Sequence, residues 1–231
     1  MMVFQNAINN TQFSSMNIVT FTSNGTYTPP ANLIYADVVC VGAGGGAAGC
    51  EAAGLNETSG GGGGASGSLT RKVYPRSALA PSVAVTVGVG GAGGASGVNN
   101  GSAGTDTTFL GMTAAGGGGG ISVASGVSVN ALGGFAVVPT GGDINIKGSD
   151  GVQFAACYLS VFIRQYEPLS TASPLSGVSW GAGGNSPAAN AYGGGAGPTA
   201  SWNPGTVTSE LAKAGAPGAD GVVIITEYLA S

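Results

Sequence analysis

Apolar residues recur along this chain in short runs that alternate with polar ones, and between the runs glycine takes over. Residues 17–23 (NIVTFTS) set Ile18, Thr20 and Thr22 against Val19 and Phe21, the period of two expected of a half-buried strand. A turn signal at Asn24 and Gly25, then the stiff pair Pro29 and Pro30, leads into a second predicted strand over 33–41. Residues 68–74 (SLTRKVY) alternate Leu69, Arg71 and Val73 with Thr70, Lys72 and Tyr74, and residues 82–89 put Val83, Val85, Val87 and Val89 on one face. Residues 107–113 and 127–132 carry weaker strand patterns. Residues 143–147 (DINIK) alternate again, and 221–229 (GVVIITEYL) read as a closing strand. Helical periodicity is poor, because Gly and Pro interrupt almost every window long enough to hold it. The two candidates are 209–214 and part of 152–165. The second fits a strand equally well, with Phe154, Tyr158, Phe162 and Tyr166 at every fourth position.

Glycine tracts fill 42–49, 60–67, 88–104, 116–120, 181–184 and 193–197. They follow no fixed period, so the chain is not a solenoid of equal repeats. Flexible linkers mix glycine with serine and sit between domains. These tracts instead lie inside one strand-rich unit and contain Ala and Val. Extended glycine chains with three residues per turn make no internal hydrogen bonds and can bond laterally. Because buried backbone groups must be paired, such tracts are expected to pack on one another. The predicted fold is therefore all-β: β-sandwich-like strands combined with packed polyglycine-II-type tracts and very little helix. Residues 1–16, rich in Asn, Gln and Ser, read as an arm or attachment segment. Residues 17–231 read as one glycine-rich β domain with an atypical aromatic insertion at about 151–177.

Composition sharpens this picture. Glycine and proline supply 46 + 11 = 57 of 231 residues, close to the level of disordered chains. The bounded apolar runs and a net charge of only −4 argue for folding instead. No G-X-Y period is kept, which excludes collagen. Among the six Lys and Arg residues only Arg71, Lys72 and Arg76 cluster, too few to displace the counterions of nucleic acid. The start MMVFQNAINN lacks a basic segment and an apolar core, so no secretory signal is expected. No long apolar stretch free of glycine suggests membrane insertion. Cys40, Cys50 and Cys157 follow no metal-ligand spacing, and Cys40, in an apolar run, is expected to be a buried thiol.

One stretch invites an enzymatic reading. In DVVCVGAGGGAAG (37–49), Gly44, Gly46 and Gly49 fit G-x-G-x-x-G after a strand. A dinucleotide site also needs a helix there to meet the pyrophosphate. The chain continues CEAAGLNETSGGGGG, where a helix would end at Gly54. The chain has no histidine, which removes the commonest general base and the Ser-His-Asp arrangement. Asp143 and Asp150 are the nearest thing to a glycosidase pair, though turn or strand-end roles explain them as well. No catalytic residue, metal ligand or cofactor is expected.

The segment FTSNGTYTPPANLIYADVVCVGAGGGAAG resembles the opening of glycine-rich domains on bacteriophage tail fibres and distal tail-fibre adhesins. The likeness continues through GGGGASGSLTRKVY, VAVTVGVGGAGG, TDTTFLGMTAAGGGGG, GGDINIKGSDG and WGAGGNSP to GAPGADGVVIITEY. It implies a virion protein of the phage tail that attaches the particle to a bacterial surface receptor, either a glycan or an outer-membrane or pilus protein. It also implies contact with other tail proteins, as a homotrimer or as a single chain capping a trimeric fibre. A purely structural fibre or baseplate component and a polysaccharide depolymerase are the alternatives. Departure from the pattern at 151–177 marks either a receptor loop or a subunit interface, with Arg164 and Glu167 at its edge. Rigid aromatics beside adaptable amides suit recognition. Trp180, Asn185, Asn190, Tyr192, Trp202 and Asn203 are therefore the candidate receptor-binding residues, unless the aromatics merely plug small cores between glycine tracts.

Overall fold

The computed structural model describes residues 13–157, 186, 188–203 and 211–231. The described chain is all-β. Its strands are β1 (Phe13–Phe21), β2 (Gly25–Tyr27), β3 (Leu33–Val41), β4 (Thr58–Gly61), β5 (Leu69–Pro75), β6 (Val83–Thr86), β7 (Thr107–Phe109), β8 (Met112–Ala114), β9 (Ser122–Gly126), β10 (Ser128–Ala131), β11 (Ile144–Ile146), β12 (Phe154–Cys157), β13 (Thr199–Trp202) and β14 (Val222–Ala230). A single 3-10 turn, Arg76–Ala78, is the one helical element among the described residues.

Two sheets make a sandwich. The first has the order β1-β14-β3-β5-β11 and the second β2-β6-β7-β8, with every pairing antiparallel. Alternation dictates the inner face. Ala36, Val38 and Cys40 of β3, Val223 and Ile225 of β14, and Tyr74 of β5 meet Tyr27, Val83, Val85, Phe109 and Met112 of the opposite sheet. Burial of this apolar surface is the hydrophobic contribution to stability. Burial pushes the Cys40 thiol up to about 12, in keeping with the inert thiol expected there. One carboxylate enters the same interior. Buried Glu227 accepts hydrogen bonds from Tyr27 Oη and Asn17 Nδ2, each 2.8 Å long, which ties β1, β2 and β14 together. Burial and then Glu227 raise the Tyr27 hydroxyl well above its ordinary pKa.

The strands predicted at 33–41, 68–74, 143–147 and 221–229 are present within a residue or two of those bounds. Others differ for physical reasons. β1 starts at Phe13, so the boundary drawn after residue 16 falls inside a strand; its backbone pairs with β14 from Phe13 to Phe21. Val89, expected to share one face with Val83, Val85 and Val87, is exposed where those three are buried, because β6 ends at Thr86 and the chain changes to a glycine tract. Residues 107–113 are not one strand. β7 and β8 form a hairpin whose turn residues Leu110 and Gly111 both have positive φ, +38° and +79°, the geometry of a two-residue hairpin loop. The ambiguous 152–165 segment contains β12, paired with β10; residues 158–165 lie outside the described residues. Of the helix candidate 209–214, residues 211–214 are not helical, and Lys213 bridges to Cys50.

Two smaller sheets, β13-β4-β9 and β10-β12, stand apart from the sandwich, around a small core of Val129, Ala131 and Phe154. Replacing Phe109, which is fully buried, by Ala is expected to cost about 3–5 kcal/mol. Urea unfolding of the two proteins measures it, and a loss below about 1 kcal/mol would contradict this placement of the core.

Candidate functional site

Between the sandwich and the smaller sheets lies a lattice of glycine tracts. Its axis is the tract 42–50, which continues β3. Every backbone N–H from Gly42 to Cys50 donates to a backbone carbonyl, at 2.8–3.2 Å, and the acceptors recur every third residue. Gly42, Gly45 and Ala48 donate to Ser68, Ala65 and Gly62. Ala43, Gly46 and Gly49 donate to Thr105, Ser102 and Asn99. Gly44, Ala47 and Cys50 donate to Ala219, Ala216 and Lys213. The carbonyls look the other way. Those of Gly44, Ala47 and Cys50 accept from Gly91, Gly94 and Gly97, those of Ala43 and Gly46 from Gly117 and Gly120, and that of Gly45 from Ala196.

Three residues per turn send N–H groups in three directions and C=O groups in three others. Six tracts therefore surround 42–50: 62–68, 99–105 and 213–219 run antiparallel to it, and 88–97, 116–120 and 193–196 run parallel. The ring closes, since each neighbour also bonds the next: Ala65 to Gly118, Gly104 to Gly117, Ser102 to Ala92, Gly215 to Gly94, Ala219 to Gly194 and Gly64 to Ala196. This is polyglycine-II packing, as the composition predicted. Spacing is the reason for glycine. A methyl group on Gly44 would overlap the Gly194 carbonyl oxygen, and one on Gly45 that of Gly118. Ala43, Ala47 and Ala48 fit only where their methyls fall into gaps, and all three are fully buried.

The phosphate-cradle reading of 37–49 ends here, because no N–H of that loop is left to meet a phosphate. Several acidic side chains among the described residues have structural partners too. At the lattice margins side-chain oxygens accept orphan amides: Asp220 from Gly90 (2.8 Å), Asp106 from Gly116 (2.9 Å), Asp150 from Ala136 (2.8 Å), Asn100 from Ser122 (2.9 Å), and Glu51 from Ser125. Asp150, one of the two carboxylates considered for glycoside hydrolysis, is held below the ordinary carboxylate range by the Ala136 N–H and by Lys147. A raised value is what a general acid needs. No group of three or more His, Cys, Asp or Glu suited to a metal ion occurs among the described residues.

The candidate receptor residues do not converge. Trp180 and Asn185 lie outside the described residues. Asn190 and Tyr192 are exposed in a turn at the sandwich end of the lattice, where Gly194 donates to the Ala191 carbonyl and Gly193 to that of Asp220. Trp202 and Asn203 stand at the opposite end, since the chain between them and Tyr192 runs along the lattice for ~30 Å. Trp202 pairs with Thr58 in the β13–β4 ladder and is half-buried, its indole nitrogen without a hydrogen-bond partner among the described residues. Asn203 is fully buried and donates to the Ala53 carbonyl at 3.5 Å, a structural position.

What does converge at the far end is a group of segments to which sequence reasoning gave no binding role. The loops 51–57 and 95–100 and strand β9 with its turn at Val127 meet around the end of the central tract, through Gly97 to Cys50, Gly49 to Asn99, and Ser125 to the Glu51 carboxylate. They expose Leu55, Val98 and Val127. Asn56 adopts a positive φ of 59°, a conformation that Asn tolerates better than most residues. The signal for these loops was their position between glycine tracts, with Asn56, Asn99 and Asn100 as turn formers.

The model of a family described as a glycine-rich domain matches residues 20–228. No curated protein matches the chain. Gly45→Ala is expected to lower stability by about 3 kcal/mol, the upper range for overpacking, whereas Ala92→Gly, on the exposed side of the lattice, costs about 1 kcal/mol or less. Equal melting curves for both variants would contradict the lattice. Asp150 supplies a pH test. Its carboxyl is lowered in the folded state, so its contribution is present above the ordinary carboxylate range and is lost as pH falls through the lowered value. Asp150→Ala should flatten that part of the acid-unfolding profile.

Proposed function

We propose, from the premise that this chain belongs to the glycine-rich domain family, that it is a host-attachment protein at the tip of a bacteriophage tail fibre. One observation carries the reading: the lattice is a stiff spacer with different ends. From Gly42 to Cys50 it separates the sandwich from the loop cluster by about 25 Å. β1 runs from the remote pole of the sandwich towards the lattice, since Phe13 pairs with Ala230 and Phe21 with Val223. Loops held by a rigid scaffold are where binding surfaces form. The partner is a bacterial surface glycan or an outer-membrane or pilus protein. The sandwich pole is then the end available to other tail proteins. Leu55, Val98 and Val127 are the foremost contact residues in this reading; Tyr192 and Asn190 lie too far from them to share one epitope.

The test is labelling of host cells by tagged full-length protein, across mutants lacking pili, lipopolysaccharide or individual outer-membrane proteins. Labelling is expected to vanish in one mutant class. A folded variant carrying Leu55→Asp, Val98→Asp and Val127→Asp should bind parent cells at least about ten-fold more weakly, while Tyr192→Ala should not. A folded wild-type protein that labels no susceptible cell would overturn the proposal.

A further inference from the structure

The outer face of the five-stranded sheet is unusually apolar. An antiparallel sheet with one face on a core normally turns polar residues to water on the other. Cross-strand register fixes which residues share this outer face. Met16, Tyr228, Tyr35 and Pro75 form one row, Ile18, Thr226, Asp37 and Val73 the next, and Thr20, Ile224, Val39, Arg71 and Ile144 the third. The row nearest the lattice, Val222, Val41 and Leu69, is buried. Ile146, paired with Leu69 at the β11 end of that row, is 47% exposed, and beyond the row Met16 (54% exposed), Ile18 (60%), Val73 (45%) and Ile144 (47%) all lie open. Tyr35 stacks on Tyr228 at 4.3 Å between centroids, and Phe13 tilts against Tyr228 at 6.0 Å.

We infer that this face is an interface between two copies of this chain, packed sheet to sheet about a two-fold axis. Three features favour a second copy as the occupant. Among the described residues the only charges on the face are Asp37 and Arg71, which neutralise each other through hydrogen bonds of 2.5 and 2.8 Å. The face therefore carries no net charge to select an oppositely charged partner. It is self-complementary: a two-fold axis near that pair sets each Arg71 against the partner's Asp37, the reciprocal contact that isologous interfaces require. Its extent suits a small interface as well. Five strands about 4.8 Å apart, with three rows open, give roughly 20 Å by 20 Å. That is about 400 Å² of plane on each copy and about 800 Å² for the two, at the upper end of what single chains leave apolar and open and in the size range of weak interfaces. Asp143 and Lys147 flank Ile144 and Ile146 at the β11 edge, as the polar rim of such an interface.

Light scattering on the full-length chain after size exclusion tests the inference. The wild-type protein is expected at twice the chain's mass. Ile18→Glu and Val73→Glu, both at exposed positions and so compatible with the fold, should each weaken the dimer by ten-fold or more, while Leu55→Glu at the opposite pole should not. Unchanged circular dichroism confirms that the variants are folded. A wild-type mass other than twice the chain's overturns the inference. So does a dimer that both sheet variants leave intact.

Discussion

The structure depends on the lateral hydrogen bonds of the tract 42–50. A glycine tract has no side chains to bury and loses more conformational entropy on ordering than any other sequence. It becomes stable only when its backbone groups are paired in a dry interior, where an unpaired group costs more than a made bond contributes. The central tract meets that condition at every N–H: these donate to three neighbours, while three others donate to its carbonyls and the six also bond one another. Removing any neighbour strips partners from two others, which makes the lattice cooperative. It also fixes the composition, because a Cβ at Gly44 or Gly45 would occupy the space of a neighbouring carbonyl.

The sandwich and the lattice are one continuous object. β3 runs into 42–50, 62–68 into β5, β6 into 88–97, 99–105 into β7, β8 into 116–120, and 213–219 into β14. The apolar core of the two sheets thereby sets the starting positions of the tracts. With backbone atoms filling the interior of the lattice, side-chain chemistry is displaced to its margins and ends. Asp106, Asp150 and Asp220 terminate rows of amides there, and the exposed loops gather at the end of the central tract. A charge-poor chain follows from that arrangement.

The legible parts of the fold were those in which one face of a strand meets the core. β3, β5 and β14 could be read from alternation, because Val38, Tyr74 and Ile225 have to face inward while Asp37, Arg71 and Thr226 do not; β11 alternates as well, although all three of its residues are exposed. β2 (GTY), β4 (TSGG) and β13 (TASW) carry no such pattern; neighbouring segments, not their own apolar residues, decide that they pair. The early start of β1 was hidden for the same reason, since Ser14 and Ser15 look like part of a polar arm. The glycine tracts were legible as packed helices from the physics of unpaired backbone, but their hexagonal order was not, because a glycine run carries no mark of which run it will bond. That gap scattered the candidate site. Tyr192 and Trp202 are close in sequence, yet an extended tract between them puts them at opposite ends of the lattice, whereas Leu55, Val98 and Val127, far apart in sequence, are brought together at one end.

Amide hydrogen exchange of Gly42 to Cys50 addresses the lattice most directly, because it reads the lateral hydrogen bonds themselves. Every amide of that tract donates to a neighbouring tract, so all should exchange only through global opening, as slowly as those of Val38 and Ile225 in the sandwich core. Fast exchange across the tract, at the rate of an open glycine linker, would contradict the account.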